Sequence, residues 1–259
     1  MRVPCTGWES VPRGARATLR PVPSSVYVVT CLRNTPIARD TYECAFTKPE
    51  GFAFRPGQFV LFSVPLVSDP ADVQPRAYSI ASAPQARELL FVARTFPGGR
   101  MSRFVTEVLR PGTEMSLQGP FGVFTLDRAR GRDLLLVCTG TGVAPFHAQL
   151  SSMSPPERDR RIDLVHCVRH AEEFFWQDRF AQLERKYPSL RIRRTLSEPS
   201  AGWNGCCGRV QSVIPWVIPD VASRAVFLCG NPQMTKEVKQ LCLNAWGVPK
   251  GDVHVEGYI

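Results

Sequence analysis

The sequence predicts two domains, an antiparallel six-stranded β-barrel followed by an α/β domain with a parallel sheet. A chain of 259 residues is long enough for both. Its first half carries short β-branched or alternating runs separated by Pro, Gly and Asp, whereas its second half alternates apolar runs with helical segments. The pattern changes near residues 126–133. We therefore expect an irregular N-terminal arm over residues 1–25, the barrel over residues 26–127 and the α/β domain over residues 128–259.

Six strands and one helix are predicted in the barrel. The helix covers residues 102–109, where Phe104, Val105, Val108 and Leu109 fall on one face. The strands are predicted at residues 26–33, 41–47, 58–65, 76–82, 88–96 and 113–119. Closely spaced short strands with turn residues between them are typical of antiparallel barrels.

The second half predicts βαβ units. Continuous apolar runs such as DLLLVCTG, residues 133–140, are typical of strands buried on both faces of a parallel sheet. The strands are predicted at residues 133–140, 161–169, 190–196, 224–230 and 252–258, with helices from Ala144 and over residues 174–186 and 234–245. Ligands of such sheets bind beyond the carboxyl ends of the strands, and a crevice between two domains also favours a cofactor.

The cysteines and the first residues bear on compartment and metal content. The nine cysteines show no disulfide pattern and no spacing suited to an iron–sulfur cluster or zinc, so we expect no metal and a reducing, cytoplasmic location. Residues 1–25 lack the apolar centre of a secretory signal. They are Arg-bearing and acid-poor like a transit peptide, but Glu9 and four prolines argue against that alternative. No apolar run reaches the length of a transmembrane helix.

The net charge of +9 bears on possible partners. The arginines are scattered through both halves, and no lysine-rich stripe with interleaved aromatic residues occurs, which argues against nucleic acid. The charge fits either a solubilising surface or attraction of an acidic protein partner.

Two motifs in the barrel half can carry chemistry. Arg76 offers a guanidinium fork for a phosphate, Tyr78 a flat ring and Ser79 a small hydroxyl group on the same strand. Residues 97–102, PGGRMS, begin the helix, and glycines at a helix N-terminus allow backbone N–H groups to approach an anion. Alternatively, these are an ordinary strand and a plain turn in which Ser102 caps the helix.

Three further motifs fall in the α/β half. Residues 139–146, TGTGVAPF, lie where a buried strand turns into a helix, the phosphate-binding position of a Rossmann-like domain. Cys229 and Gly230 end another buried strand, and Glu256 and Tyr258 stand in the C-terminal tail. Without a ligand, these would be a tight turn, a small buried thiol and the edge of a sheet.

The order of these motifs resembles the ferredoxin–NADP reductase superfamily. RAYS, GGRMS, GPFG, TGTGVAPF, CGNP and a terminal VEGY follow one another from about Val26 to the C-terminus, with PGQFV before the third strand. The resemblance implies a flavoprotein oxidoreductase that transfers a hydride from NAD(P)H to FAD, with FMN less favoured, and then single electrons to a separate acceptor such as ferredoxin or an oxygenase component. An electron-transfer subunit of a larger complex and a free flavin reductase remain the alternatives.

The resemblance also implies roles for individual residues. On the flavin side, Arg76 would contact a phosphate, Tyr78 would stack on the isoalloxazine and Ser79 would hydrogen-bond near N5, with Ala77 between them. The pyrophosphate of FAD would be held by backbone and hydroxyl groups of Gly99, Arg100, Met101 and Ser102. On the nicotinamide side, the expected residues are Thr141 and Gly142 at the pyrophosphate, Cys229 and Gly230 beside the nicotinamide, Glu256 as the terminal glutamate, and Tyr258 over the other flavin face.

The choice between NADH and NADPH depends on the residues after the strand at 190–196. Relatives that use NADPH carry an arginine in the position of Glu198, next to Ser197. A carboxylate there would repel a 2′-phosphate and would accept hydrogen bonds from a free ribose. Arg193, Arg194 and Arg209 are alternative phosphate ligands. On charge alone we expect NADH to be favoured over NADPH.

Overall fold

The computed structural model describes residues 25–154 and 159–258, so the predicted arm, apart from Ser25, lies outside the described residues. The first domain is a curled antiparallel sheet in the order β4-β3-β6-β1-β2-β5. Its strands are β1 (Val26–Ala38), β2 (Thr41–Thr47), β3 (Phe59–Leu66), β4 (Asp69–Ser79), β5 (Glu88–Arg94) and β6 (Glu114–Phe121). The predicted six-stranded antiparallel architecture is confirmed.

β1 and β4 extend several residues beyond their predicted bounds. β1 continues to Ala38 because its second half pairs with β2, with Pro36 opposite Tyr42. β4 begins at Asp69 and not at residue 76, and it pairs with β3 along most of its length. Pro70 and Pro75 lie within it, because β4 is an edge strand, where a residue without an N–H is tolerated.

The helix of this domain begins earlier than predicted. α1 (Arg100–Arg103) starts after Gly99 and continues as a π-helical turn, Phe104–Val108, whose apolar side chains pack on the barrel core. Gly99 is the N-cap residue, so the alternative in which Ser102 caps the helix is wrong. The Ser102 hydroxyl instead accepts a hydrogen bond from the N–H of Phe96 at 3.0 Å, which ties the preceding loop to the helix.

The second domain has a fully parallel sheet in the order β10-β9-β8-β7-β11-β12. Its strands are β7 (Leu134–Thr139), β8 (Ile162–Val168), β9 (Leu190–Leu196), β10 (Cys206–Cys207), β11 (Ala225–Gly230) and β12 (Val253–Gly257). Its helices are α2 (Ala144–Ser151), α3 (Gln177–Lys186), α4 (Val210–Val217) and α5 (Pro232–Asn244). Short 3-10 turns cover Leu126–Ala129, Gly140–Val143, Ala171–Glu173, Val221–Ser223 and Lys250–Asp252.

Helices cover both faces of this sheet. Along β7, Leu134 and Leu136 pack into the core beneath α2 and α3, whereas Leu135 and Val137 pack into the core beneath α4 and α5. This explains the continuous apolar runs. The sequence did not predict β10 and α4, because β10 has only two residues and α4 contains Pro215.

A buried ionic cluster lies at the amino ends of the strands. Arg224 is fully buried, and its Nη2 lies 3.3 Å from Asp163 and 2.9 Å from Asp220. Arg161 and Arg193 also reach the Asp163 carboxylate, at 3.4 and 3.3 Å. A paired and hydrogen-bonded guanidinium can be buried, whereas a lone one cannot. This end of the sheet is opposite the candidate site.

The segment 171–179 fixes the two domains against each other. Trp176 donates from Nε1 to Glu43 of β2 at 2.6 Å, and Arg179 pairs with the same carboxylate at 2.8 Å. Arg94 of β5 pairs with Glu173 at 3.1 Å. These contacts hold the end of β5 beside the carboxyl ends of the parallel strands. In the ranges that the structure describes, no helix is long and apolar enough to span a membrane.

Candidate functional site

A cavity of about 700 Å³ lies between the domains, at the carboxyl ends of the parallel strands. This is where a crevice is expected in such a sheet. Nine of the residues that the sequence singled out line the cavity: Ala77, Tyr78, Ser79, Thr141, Ser197, Glu198, Arg209, Gly230 and Tyr258. Residues that are far apart in the sequence therefore meet in one place.

A hydrogen-bond chain joins the two domains inside this site. The Ser79 hydroxyl of β4 donates to Glu256 Oε1 of β12 at 2.8 Å. The Tyr258 hydroxyl lies 3.2 Å from Ser79 Oγ, to which it donates, and 3.4 Å from the carbonyl oxygen of Thr141. The Tyr258 N–H also donates to the Gly230 carbonyl at 3.0 Å, so the tail is held at both its backbone and its side chain.

Burial changes the protonation of the groups in this chain. Loss of water raises the pKa of Glu256 from 4.5 to about 7, although the Ser79 hydrogen bond acts in the opposite direction. The same desolvation raises the pKa values of Tyr258 and Cys229 well above their ordinary ranges. Of the hydrogen-bonded groups of Ser79, Glu256 and Tyr258, the Glu256 carboxyl group is therefore the one that can gain or lose a proton near neutral pH.

The side chain of Cys229 does not line the cavity. Its side chain is fully buried, and it contacts the Tyr258 hydroxyl. With its pKa raised by burial, the thiol remains neutral and behaves as a small apolar group. It therefore lies behind the tyrosine and not at the surface of the cavity.

The glycines of the two strand-to-helix turns allow their backbones to pack closely. A Cβ atom on Gly142 would lie 2.4 Å from the Cys229 carbonyl oxygen. A Cβ atom on Gly230, whose φ is +127°, would lie 2.5 Å from Thr139 Oγ1. Gly142 is consequently a packing residue beneath the cavity, and its neighbour Thr141 lines the cavity wall.

The other residues expected on the flavin side do not line this cavity: Arg76, Gly99, Arg100, Met101 and Ser102. The Arg76 guanidinium donates to the Pro75 carbonyl and to Gln74. The Arg100 side chain is largely buried and pairs with Asp72 at 2.6 Å, so its guanidinium is already engaged. Gly99 and Met101 are buried, and the ring of Phe96 lies over Gly99. The first N–H groups of α1 lack an intrahelical partner and remain available to an anion.

Glu198 and Arg209, two of the residues expected to distinguish NADH from NADPH, line the cavity. Glu198 is 63% exposed, and its Oε2 lies 3.6 Å from His170 Nε2. Arg209, the N-cap residue of α4, lines the same cavity, as does Arg169. Arg193 does not, because it pairs with Asp163.

The sequence interpretation missed several cavity residues, among them Arg94, Phe96, Arg169 and Glu173. Arg94 and Arg169 stand at the carboxyl ends of the strands β5 and β8, a position that could have identified them. Glu173 is 5% exposed and pairs with Arg94 across the domain boundary, which only the folded chain reveals.

The residues that the structure describes form neither a metal site nor a disulfide bond. Within residues 25–154 and 159–258, no three His, Cys, Asp or Glu side chains lie close enough together to hold a metal ion. The eight cysteines in those ranges are free thiols, and Cys5 lies outside them.

Comparison with known proteins agrees with the fold. The family model for an oxidoreductase FAD-binding domain matches residues 30–126, and that for an oxidoreductase NAD-binding domain matches residues 136–240. The fold and site thus define a flavin- and nicotinamide-dependent oxidoreductase. The chain is 32% identical over 232 residues to ferredoxin–NADP reductase B of Sorangium cellulosum, covering 86% of this chain and 93% of that one. It belongs to the ferredoxin–NADP reductase superfamily.

Other relatives are longer or are known from solved structures. The toluate 1,2-dioxygenase electron transfer component of Pseudomonas putida is 30% identical over 206 residues; the match covers 80% of this chain but only 59% of that protein. The structure of a ferredoxin NADP+ reductase from Neisseria gonorrhoeae with bound FAD and NADP is 26% identical, with a TM-score of 0.76 and coverage of 90% of this chain and 99% of that one. A cytochrome P450 reductase from Amycolatopsis gives a TM-score of 0.82 at 25% identity, over 94% of this chain and 73% of that one.

Proposed function

We propose that this chain takes a hydride from a nicotinamide nucleotide and passes single electrons to a separate protein, such as a ferredoxin or an oxygenase component. FAD would bind to residues 26–127, and the nucleotide would bind to residues 128–259, with the C-terminal tail returning to the flavin. The observation that carries the proposal is the hydrogen-bond chain of Ser79, Glu256 and Tyr258, which joins the two domains at one cavity. The names of the relatives, a ferredoxin–NADP reductase and a dioxygenase electron transfer component, support it.

The residues around the cavity fit such cofactors. Tyr78 and Tyr258 supply aromatic surface in a cavity of about 700 Å³. Gln211 lines the cavity, and its buried Oε1 has no hydrogen-bond partner among the described residues, so it can accept a bond from a ligand hydroxyl. When bound, FAD supplies the redox chemistry, since its ring accepts two electrons as a hydride and releases them singly.

The protein would contribute positioning and proton control. Arg76 and the backbone of Gly99, Arg100, Met101 and Ser102 would hold the flavin phosphates, while Thr141 and Gly142 would form the turn at the nucleotide phosphates. Ala77 and Tyr78 would support the flavin ring, and Gly230, with Cys229 behind it, would leave room for the nicotinamide. These arrangements bring two reacting rings into contact, which is the main demand of hydride transfer.

The protonation state of Glu256 would control the direction in which the Ser79 hydroxyl hydrogen points. When the carboxyl group is ionised, the Ser79 hydrogen points to Oε1. When it is protonated, it can donate to Ser79 Oγ, which frees the Ser79 hydrogen for a ligand. Because burial brings the pKa of Glu256 to about 7, both forms are populated at neutral pH. A proton can thereby be delivered near Ser79 without a histidine.

We further propose a preference for NADH. Glu198 is exposed in the cavity wall beside Ser197, where its carboxylate can accept hydrogen bonds from ribose hydroxyl groups. Arg209 and Arg169 face the same space and favour a phosphate, so the preference is moderate.

The free cysteines of the described residues support a reducing, cytoplasmic location.

The proposed function is tested by spectroscopy of the purified chain. We expect a yellow protein after desalting, with FAD released on denaturation, and bleaching on anaerobic addition of NADH at lower concentration than of NADPH. Tyr258→Phe removes only the hydroxyl bond and should retain flavin, whereas Tyr258→Ala should alter both the flavin spectrum and nicotinamide affinity. A colourless protein that oxidises neither nucleotide when FAD is added would refute the proposal. A protein that loses its flavin on desalting but still oxidises NADH would indicate a free flavin reductase.

A further inference from the structure

Two adjacent cysteines occupy an edge strand of the parallel sheet. Cys206 and Cys207 make up the whole of β10, which lies at the end of the sheet and pairs with β9. Cys207 is exposed and Cys206 is partly exposed, whereas the other six cysteines of the described residues are buried. An accessible thiol beside a second thiol is the arrangement typical of redox-sensitive sites. Among the described residues, these two thiols are therefore the ones that a dissolved oxidant can reach.

The paired strand keeps the two sulfur atoms apart. The side chains of consecutive residues in a strand point to opposite faces, and Cys206 and Cys207 pair in register with Thr195 and Leu196 of β9. A disulfide requires Cβ atoms about 3.5–4.5 Å apart and cannot join side chains that point away from each other unless the backbone moves. A bond between Cys206 and Cys207 is therefore incompatible with the paired conformation of β10.

The β9–β10 pairing also positions one wall of the cavity. Gly208, which follows β10, donates from its N–H to the Leu196 carbonyl oxygen at 2.8 Å, and its own carbonyl accepts from the Thr195 hydroxyl at 2.6 Å. The next residue, Arg209, is the N-cap of α4 and lines the cavity. Glu198, which lies just beyond the end of β9, lines it as well. Loss of this pairing would therefore release Arg209 from its position at the cavity.

We infer that Cys206 and Cys207 form a redox-sensitive site, oxidised by a small disulfide such as glutathione disulfide, and that their oxidation weakens nucleotide binding. The inference rests on the proposed function, because it requires the nucleotide to bind in the cavity. A two-residue edge strand has few hydrogen bonds to lose, so its local opening costs little free energy. The dithiol is compatible with the paired strand and the complete cavity wall, whereas the disulfide is not.

The oxidation proceeds by two thiol–disulfide exchanges. The exposed Cys207 thiolate first attacks glutathione disulfide, which forms a mixed disulfide and releases one glutathione thiolate. The Cys206 thiolate then attacks the Cys207 sulfur and releases the second glutathione thiolate. The two cysteines lose two electrons, glutathione disulfide gains them, and the two cysteine protons are transferred to the two glutathione thiolates.

Treatment of the flavin-loaded full chain with glutathione disulfide tests the inference. Mass spectrometry after alkylation should show the loss of two hydrogen atoms in the segment that holds both cysteines, with no glutathione attached. The KM for NADH, assayed with ferricyanide as the acceptor, should rise on the order of tenfold, as expected for the loss of one hydrogen bond to a charged group. Dithiothreitol should restore the original KM.

A binding measurement tests the same coupling without catalysis. Because linkage is reciprocal, oxidation and nucleotide binding should oppose each other by the same factor. In mixtures of reduced and oxidised glutathione, saturating NAD+ should lower the equilibrium constant for disulfide formation. The decrease should equal the factor by which oxidation raises the Kd for NAD+.

Two variants serve as matched controls. Cys206→Ser/Cys207→Ser should retain FAD and the NADH KM of the reduced wild type, and glutathione disulfide should not change that KM. Cys206→Ser keeps the exposed thiol but can form only a mixed disulfide, which does not require β10 to open. Its KM should therefore change far less than that of the wild type. Far-UV circular dichroism and flavin absorbance check that both variants are folded.

Four results would overturn the inference. The first is a wild-type protein that forms no bond between Cys206 and Cys207, and the second is an unchanged NADH KM once that bond has formed. The third is an equal rise in KM in either serine variant, and the fourth is an oxidation equilibrium that NAD+ does not shift. If the reduced wild-type protein neither binds NAD+ nor oxidises NADH, the proposed function itself fails, so the two failures are distinguishable.

Discussion

Replacing Glu256 with glutamine should make the stability of the protein less dependent on pH. Burial raises the pKa of Glu256 from 4.5 to about 7 in the folded protein. The unfolded chain therefore ionises this group at lower pH than the folded chain does. Ionisation of Glu256 therefore lowers the free energy of unfolding. This loss of stability is absent below pH 4.5, grows as the pH rises and is complete above pH 7. Glu256→Gln removes this contribution, because an amide does not ionise.

The size of the effect follows from the same pKa values. A difference of about 2.5 pKa units corresponds to on the order of 3 kcal/mol, at about 1.4 kcal/mol for each unit. Glutamine retains an oxygen that can accept the Ser79 hydrogen bond of 2.8 Å. The free energy of unfolding of the variant, relative to the wild type, should therefore increase by up to about 3 kcal/mol between pH 4.5 and pH 8.

Urea unfolding at several pH values measures this difference. Both proteins are followed by tryptophan fluorescence in the same excess of FAD, so that flavin binding is matched. Glu198→Gln is the control, since Glu198 is 63% exposed and its replacement should reproduce the pH dependence of the wild type. If Glu256→Gln and the wild type change in parallel from pH 4.5 to pH 8, the carboxyl group is not buried as described and the proton role of Glu256 is excluded.

Three other substitutions test separate parts of the structure. Glu198→Arg should raise the ratio of kcat/KM for NADPH over NADH at least tenfold, because a charged hydrogen bond to the 2′-phosphate contributes about 1.5–3 kcal/mol. Arg224→Met should lower the free energy of unfolding by about 3–5 kcal/mol, measured by urea titration, because it removes the buried partner of the buried Asp163 carboxylate. Gly142→Ala should raise the KM for NADH, because its Cβ would lie 2.4 Å from the Cys229 carbonyl oxygen, whereas Gly251→Ala, with open space, should not.

Each of these expectations has an outcome that contradicts it. An unchanged nucleotide ratio in Glu198→Arg would remove Glu198 from the ribose site. A loss below about 1 kcal/mol in Arg224→Met would show that the remaining arginines are sufficient for Asp163. Equal KM values for Gly142→Ala and Gly251→Ala would mean that the turn can move apart without affecting the nucleotide.

Much of the fold could be predicted from local patterns. β2 and β9 begin and end at the predicted residues, since their apolar and β-branched runs are bounded by turns. The additional length of β4 could not be predicted, because pairing with β3 outweighs the two prolines within it. The helix α4 was missed because its eight residues and internal proline give a weak local signal, whereas packing of Val210 and Ile214 on the sheet stabilises it.

The features of the candidate site can likewise be divided into those that the sequence predicts and those that only the folded structure shows. The sequence alone determined the two domains, the order of the motifs and the family resemblance, because these depend on residue type and spacing along the chain. The tertiary structure decided that Cys229 is buried behind Tyr258, that Arg94 and Glu173 meet in the cavity, and that Glu256 titrates near neutral pH. Each of these depends on burial or on contact between distant residues, such as the hydrogen bond from Ser79 to Glu256 across 177 positions. Desolvation and proximity are properties of the folded chain, so no local pattern encodes them.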